Sequence, residues 1–206
     1  MKTILRVTIL ALLGGLGGAL LGAQDAAPSA KPAAAKDSMP MPMTKPTPEM
    51  AKMIKLMAGN WTVTEKHDPS PMMPKGGSGK GTAVMTPGPG GTSLMEKYQS
   101  TGAMGPNFNG FGTFWWDPKQ QLFRTVWCDN MTPNGCDTSG TTKWEGDKLV
   151  GMMESEMNGQ KMFTRFVYSD FKPGSFIMTM EVGTDPNNMK KASVITYTKV
   201  PRAKKM

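Results

Sequence analysis

Histidine and cysteine are nearly absent from this sequence: His67 stands alone, and Cys128 and Cys136 are the only thiols in 206 residues. A zinc hydrolase draws its ligands from several histidines, cysteines or carboxylates at fixed spacings, and here there is neither a C-x-x-C pair nor a pair of histidines. A serine or cysteine nucleophile would have one imidazole in the whole chain to activate it, so triad chemistry is poorly supplied as well. Lys and Arg are scattered rather than gathered on an arginine-rich helix, and no zinc-finger spacing occurs. Despite a formal net charge of +8, a nucleic-acid partner therefore has little support. The glycine-rich GGSGKGT (Gly76 to Thr82) also falls short of a phosphate loop, because Gly81 separates Lys80 from Thr82. It reads as a flexible turn leading into a strand.

Long apolar runs are confined to the beginning. MKTILRVTILALLGGLGGALLGA has a basic start (Lys2, Arg6), an uncharged apolar run from Val7 to Leu21, and small residues at Gly22 and Ala23. This is the pattern of a secretory signal peptide over residues 1–23, and it is glycine-rich and short for a bilayer span. Residues 24–46 are rich in Ala, Pro, Lys and Met and cannot bury enough surface to offset their ordering entropy, which predicts a disordered linker. One domain is expected over 47–200, followed by a basic tail at 201–206. The mature chain is then expected in the periplasm or outside the cell, with no integral membrane association once the signal is removed.

Within the domain a single helix is signalled. Thr47 suits an N-cap, Pro48 the first helical position and Glu49 the positive end of the helix dipole. Met50, Met53, Ile54 and Met57 make one apolar stripe, and Gly59 can follow the end of the helix. Beyond it the apolar period changes to two, with Thr, Val, Phe, Tyr and Trp in short runs parted by Gly, Pro, Asn and Asp. Strands are predicted near 60–67, 80–86, 93–101, 108–116, 121–129, 137–144, 147–155, 161–169, 174–182 and 191–199. Hairpin-length connections make sequence neighbours antiparallel, and closure removes the two exposed edges of such a meander. The expected fold is all-β: an antiparallel barrel of about ten strands, with a short N-terminal helix plugging or flanking one end.

GFGTFWWDPKQQLFRTVWCDN, Gly110 to Asn130, gathers three tryptophans and three phenylalanines in one hairpin. With a turn at Asp117 to Gln120, Phe114 should face Phe123, Gly112 should face Thr125 and Gly110 should face Trp127. Gly110, Gly112, Phe114, Trp116, Phe123, Thr125, Trp127 and Asp129 then share an inward face, the two glycines leaving room for a ring. The opposite face, with Phe111, Trp115 and Cys128, is expected to lie outside, partly covered by the helix. Whether the inward rings form plain core or the wall of a ligand site stays open at this level.

LMAGNWTV (Leu56 to Val63), the Gly-rich strand ending in Trp116-Asp117, then Phe123, Trp127 and Asp129 together resemble the DUF1579 family of bacterial proteins of unknown function, in order and over nearly the whole domain. The resemblance implies a lipocalin-like, calycin-type barrel, often exported, with no established activity and hence no catalytic residue to carry over. Trp116 stands where that family usually has tyrosine, so a hydroxyl its relatives possess is missing here.

Cys128 and Cys136, seven residues apart between two strands, are expected to form a disulfide in an oxidising compartment. His67 has Glu65 two residues before it and Asp68 after it, an arrangement capable of proton transfer, but a surface position is the plainer expectation. Met39, Met41 and Met43, among 21 methionines, offer soft thioethers for Cu(I), although alternate residues of a polyproline-like segment do not share a face. The combined expectation is a non-catalytic exported barrel without a cofactor that binds a small apolar or aromatic molecule. Trp61, Phe114, Trp116, Phe123 and Trp127 would line it, and Arg165, Tyr168 or Tyr197, on different faces, would supply polar contacts at a mouth. The alternatives are a ligand-free structural or interaction protein of the cell envelope and a methionine-based Cu(I) binder. The oligomeric state is not specified by any of these features.

Overall fold

The computed structural model describes residues 44–70, 73–132, 135–157 and 159–201. The leader, most of the linker with Met39, Met41 and Met43, and the tail from Arg202 onward lie outside the described residues. Helix α1 (Pro48–Met57) begins as its sequence dictates, with the Thr47 hydroxyl accepting from the Met50 N–H at 3.3 Å and Glu49 in the first turn. Met50, Met53 and Met57, one face of the helix, are fully buried, each burial stabilising by roughly 1.5–3 kcal/mol.

Ten strands follow: β1 (Gly59–His67), β2 (Gly77–Pro87), β3 (Ser93–Gly102), β4 (Gly105–Asp117), β5 (Leu122–Asp129), β6 (Cys136–Glu145), β7 (Lys148–Met157), β8 (Gln160–Lys172), β9 (Ser175–Gly183) and β10 (Lys190–Lys199). Each pairs antiparallel with the next, and β10 pairs with β1 from Trp61↔Lys199 to His67↔Ser193, so the barrel closes without an edge. Period-two burial is cleanest in β1, where Trp61, Val63, Glu65 and His67 point inward and Thr62, Thr64 and Lys66 outward.

The helix closes one end. Its methionines join a core with Trp61, Leu94, Phe114, Phe123, Leu149 and Phe176, and the Trp61 indole Nε1 donates to the Met57 carbonyl at 2.9 Å. Phe176 stacks on Tyr197 at 4.3 Å and meets Trp61 edge-on at 4.9 Å. Lys52 lies 3.7 Å above the Trp144 ring, a cation–π contact from helix to barrel rim. Because α1 packs across the end, against β2, β3 and β4, the outer face of the tryptophan hairpin is left uncovered: Phe111 and Trp115 remain 39% and 38% exposed. Partial cover of that face by the helix, expected from its mixed polarity, does not occur.

Two further expectations are corrected. The hairpin register lies two residues from the expected one, with Phe114 opposite Thr125, Gly112 opposite Trp127 and Gly110 opposite Asp129. Asp117 still pairs, with Leu122, while its carboxylate accepts from the N–H groups of Lys119 and Gln120, and Gln121 takes a φ of +54°. These features make the loop longer, and because the slip is even the inward face survives. The glycine-rich segment is no loose turn either, since β2 begins at Gly77. Cys128 and Cys136 form a disulfide between directly opposed positions of β5 and β6.

Candidate functional site

All three tyrosines and the single histidine point into the barrel. Glu65 and His67 arrive there because they continue the inward parity of Trp61 and Val63; they are 4% and 3% exposed, which overturns the surface position expected for His67. His67 Nδ1 lies 2.7 Å from Ser193 Oγ on β10, and its Nε2 lies 3.0 Å from Glu65 Oε2. Tyr98 on β3 donates its hydroxyl to the other Glu65 oxygen. Burial pushes the Glu65 carboxyl up, but the hydrogen bonds from His67 and Tyr98 outweigh it and hold the group below the usual carboxylate range. With Glu65 ionised, the His67 Nε2–H donates to its carboxylate, while Nδ1 and the Ser193 hydroxyl share the second hydrogen bond. Gly79 on β2 completes the arrangement, since a Cβ there would overlap Glu65 Oε2.

A second carboxyl stands apart from this chain of hydrogen bonds. Glu96 on β3 is 2% exposed, and its Oε1 accepts from the Tyr197 hydroxyl at 3.3 Å. None of the ion pairs among the described residues includes it. Burial pushes its carboxyl up to about 7, offset only in part by the Tyr197 hydrogen bond. Burial, and then the negative charge of Glu96, drive the hydroxyls of Tyr168 and Tyr197 above the ordinary phenol range; Tyr98 is raised by burial and then by Glu65.

The two ends of the barrel differ. Around the helix the interior is filled by rings. Toward the other end, Trp127 lies flat over Gly110 and Gly112: a Cβ on Gly110 would overlap its ring, one on Gly112 would sit 2.9 Å from Cε3, and Nε1 donates to Asp129 Oδ2 at 2.8 Å. Met180 pairs in register with Ser193, and Phe166 with Met180, so both face inward, yet with Trp127 they remain only partly buried. Met153 and Met162 are buried nearby in the sequence order of the same wall, on β7 and β8. An open depression of about 500 Å³ lies on the outer face of β3, β4 and β5, lined by Lys97, Gln99, Asn109, Phe111, Cys128 and Asn130, and so belongs to the outside of the barrel.

The residues expected to line a ligand site are thus divided. Trp61, Phe114, Phe123, Tyr168 and Tyr197 belong to the filled core, and Trp116 packs edge-on against Phe123 at 5.0 Å. Trp127 alone of them stands in the half that keeps solvent access. Arg165 is on the outer face, its guanidinium bound to Glu181 at 2.9 Å and to the Pro186 carbonyl at 2.9 Å, so it supplies no interior contact. Glu96, Tyr98, Ser193, Phe166 and Met180 were not singled out from the sequence. For Glu96 a signal existed: in LMEKYQS it shares the parity of Leu94 and Tyr98, an acid at a core position of a strand.

Fold and interior define a closed, lipocalin-like barrel of ten antiparallel strands with a polar cluster at its centre. Two solved barrels share the shape. The S-type phycobiliprotein lyase CPES from Guillardia theta aligns with a TM-score of 0.52 and 8% identity over 75% of this chain and 94% of its own. Rv2717c from M. tuberculosis aligns with a TM-score of 0.52 and 11% identity over 76% of this chain and 100% of its own. At such identities the likeness is one of fold. No family model matches the sequence, and no curated protein matches it.

Proposed function

We propose that this protein is an exported, non-catalytic carrier of the DUF1579 kind that holds a small, mostly apolar molecule in the half of its barrel away from the helix. The observation that carries this reading is the partial exposure of Trp127, Phe166 and Met180, which point inward and pack against the core yet stay only partly buried. An apolar wall with a few converging polar groups is the usual make-up of a small-molecule site. Export is supported by the leader-like first 23 residues and by the Cys128–Cys136 disulfide. Among the described residues, no helix is long and apolar enough to cross a membrane.

The test is titration of the purified protein with N-phenyl-1-naphthylamine, a neutral apolar fluorophore. Binding with a micromolar dissociation constant, equivalent to about 8 kcal/mol, is expected, with quenching of tryptophan emission. Phe166→Glu, which places a charge in the wall, should abolish it. Absence of binding at 100-fold higher probe concentration, together with native mass spectra of the protein from its own host that show only the bare chain, would end the carrier reading.

A further inference from the structure

The interior polar groups differ in what they have left to offer. Both Glu65 oxygens, both His67 nitrogens, the Ser193 hydroxyl and the Tyr98 hydroxyl are engaged with one another. The Ser100 hydroxyl is buried without a partner among the described residues, and Glu96 is the one buried carboxyl left short of partners. Among the described residues its carboxyl has one hydrogen bond, from Tyr197, and no Lys or Arg pairs with it. A buried carboxylate without a cation is costly, and removing that cost needs either a proton or a positive charge.

Its surroundings favour a positive charge that is not strongly hydrated. Glu96 is in register with Gly112, and Gly112 with Trp127, so only a residue without a side chain separates the carboxyl from the indole along the sheet. Tyr98 lies 6.4 Å from Trp127 and 6.4 Å from Tyr197, ring centre to ring centre, and Tyr168 is close enough for Glu96 to raise its hydroxyl. Electron-rich ring faces attract cations, most strongly once water is excluded. The second carboxylate, Glu65, disfavours any anionic head.

Resting on the carrier reading above, we propose that the molecule carried is a cationic amphiphile: an alkyl or aryl amine whose ammonium pairs with Glu96 beside Tyr98 and Trp127, its apolar body lying along Phe166 and Met180. An alcohol of the same body can hydrogen-bond to Glu96 but leaves its charge unpaired, and a carboxylate is repelled.

Competition against bound N-phenyl-1-naphthylamine by decylamine, decanol and decanoate separates the three heads on one chain length. Decylamine should displace the probe at a concentration at least about tenfold lower than decanol, with decanoate weakest. In Glu96→Gln the amine advantage should fall below about threefold while displacement by decanol is unchanged, since only the charge pair is removed. In Trp115→Thr, on the outer face of the barrel, the amine advantage should persist. If the probe binds and decanol matches decylamine in the wild-type protein, the amine assignment is wrong and the carrier reading stands. If the probe does not bind, both fall. Should Glu96→Gln not fold, the wild-type ranking decides the question, and decylamine no better than decanol overturns the assignment.

Discussion

Replacing Glu96 by glutamine should change how stability depends on pH, in a direction fixed by the interior of the barrel. The carboxyl is raised from its ordinary value of 4.5 to about 7, so between those pH values the folded protein holds a proton that the unfolded chain has released. Stability from this group is therefore complete below about pH 4.5 and is lost as the pH rises through about 7. At about 1.4 kcal/mol per pH unit, the rise corresponds to a loss of ~3 kcal/mol between pH 4.5 and pH 8. Glutamine is nearly isosteric, can still accept from the Tyr197 hydroxyl, and never ionises. Urea unfolding followed by tryptophan fluorescence should then show the variant within about 1 kcal/mol of wild type at pH 5 and more stable by ~2–3 kcal/mol at pH 8. Glu65, whose carboxyl is held low, contributes in the opposite sense, its stabilisation being present above about 4.5 and lost as the pH falls below that, outside this window. Other groups cancel when the two proteins are compared at each pH. A difference between variant and wild type that is the same at pH 5 and pH 8 would refute the account of Glu96 as a buried carboxyl without a cation.

Gly110→Ala forces a methyl group into the Trp127 ring, which its bond to Asp129 holds in place, and should cost about 1–3 kcal/mol in urea unfolding despite the better strand propensity of alanine. Gly79→Ala should push Glu65 off His67, detectable as a changed imidazole chemical shift at neutral pH. Opening the short loop closed by Cys128 and Cys136, with serine at both positions, should lower stability by roughly 2–3 kcal/mol. Trp115→Thr, on the uncovered outer face, should leave stability within about 0.5 kcal/mol and leave probe binding unchanged.

The alternation of apolar and polar residues, with turn residues between runs, located the strands to within a few positions, and the hairpin connections then left closure as the way to remove two edges. The helix was legible from Thr47, Pro48 and its methionine stripe. What failed did so where a side chain's destination depends on a distant strand. His67 is the exception, because its inward place follows from the parity of Trp61 and Val63 on its own strand, and only its partner Ser193 comes from distant β10. The hairpin slip depended on how Asp117 bonds to the turn, a choice that composition alone leaves undetermined. Arg165 looked available for a mouth because its partner Glu181 lies on the next strand, 16 residues later. The aromatic inventory was right in parity, whereas the division between a filled end and an accessible one follows from where the helix docks.

Joining β10 to β1 also sets a clock. The bonds that organise the interior, His67 with Ser193 and Glu96 with Tyr197, span 126 and 101 residues of sequence, so they bring together the beginning and the end of the domain. Neither bond can form on a ribosome until the last strand has been synthesised, and folds dominated by such distant pairings form slowly. Until then the nine earlier strands remain an unsealed sheet with two unpaired edges.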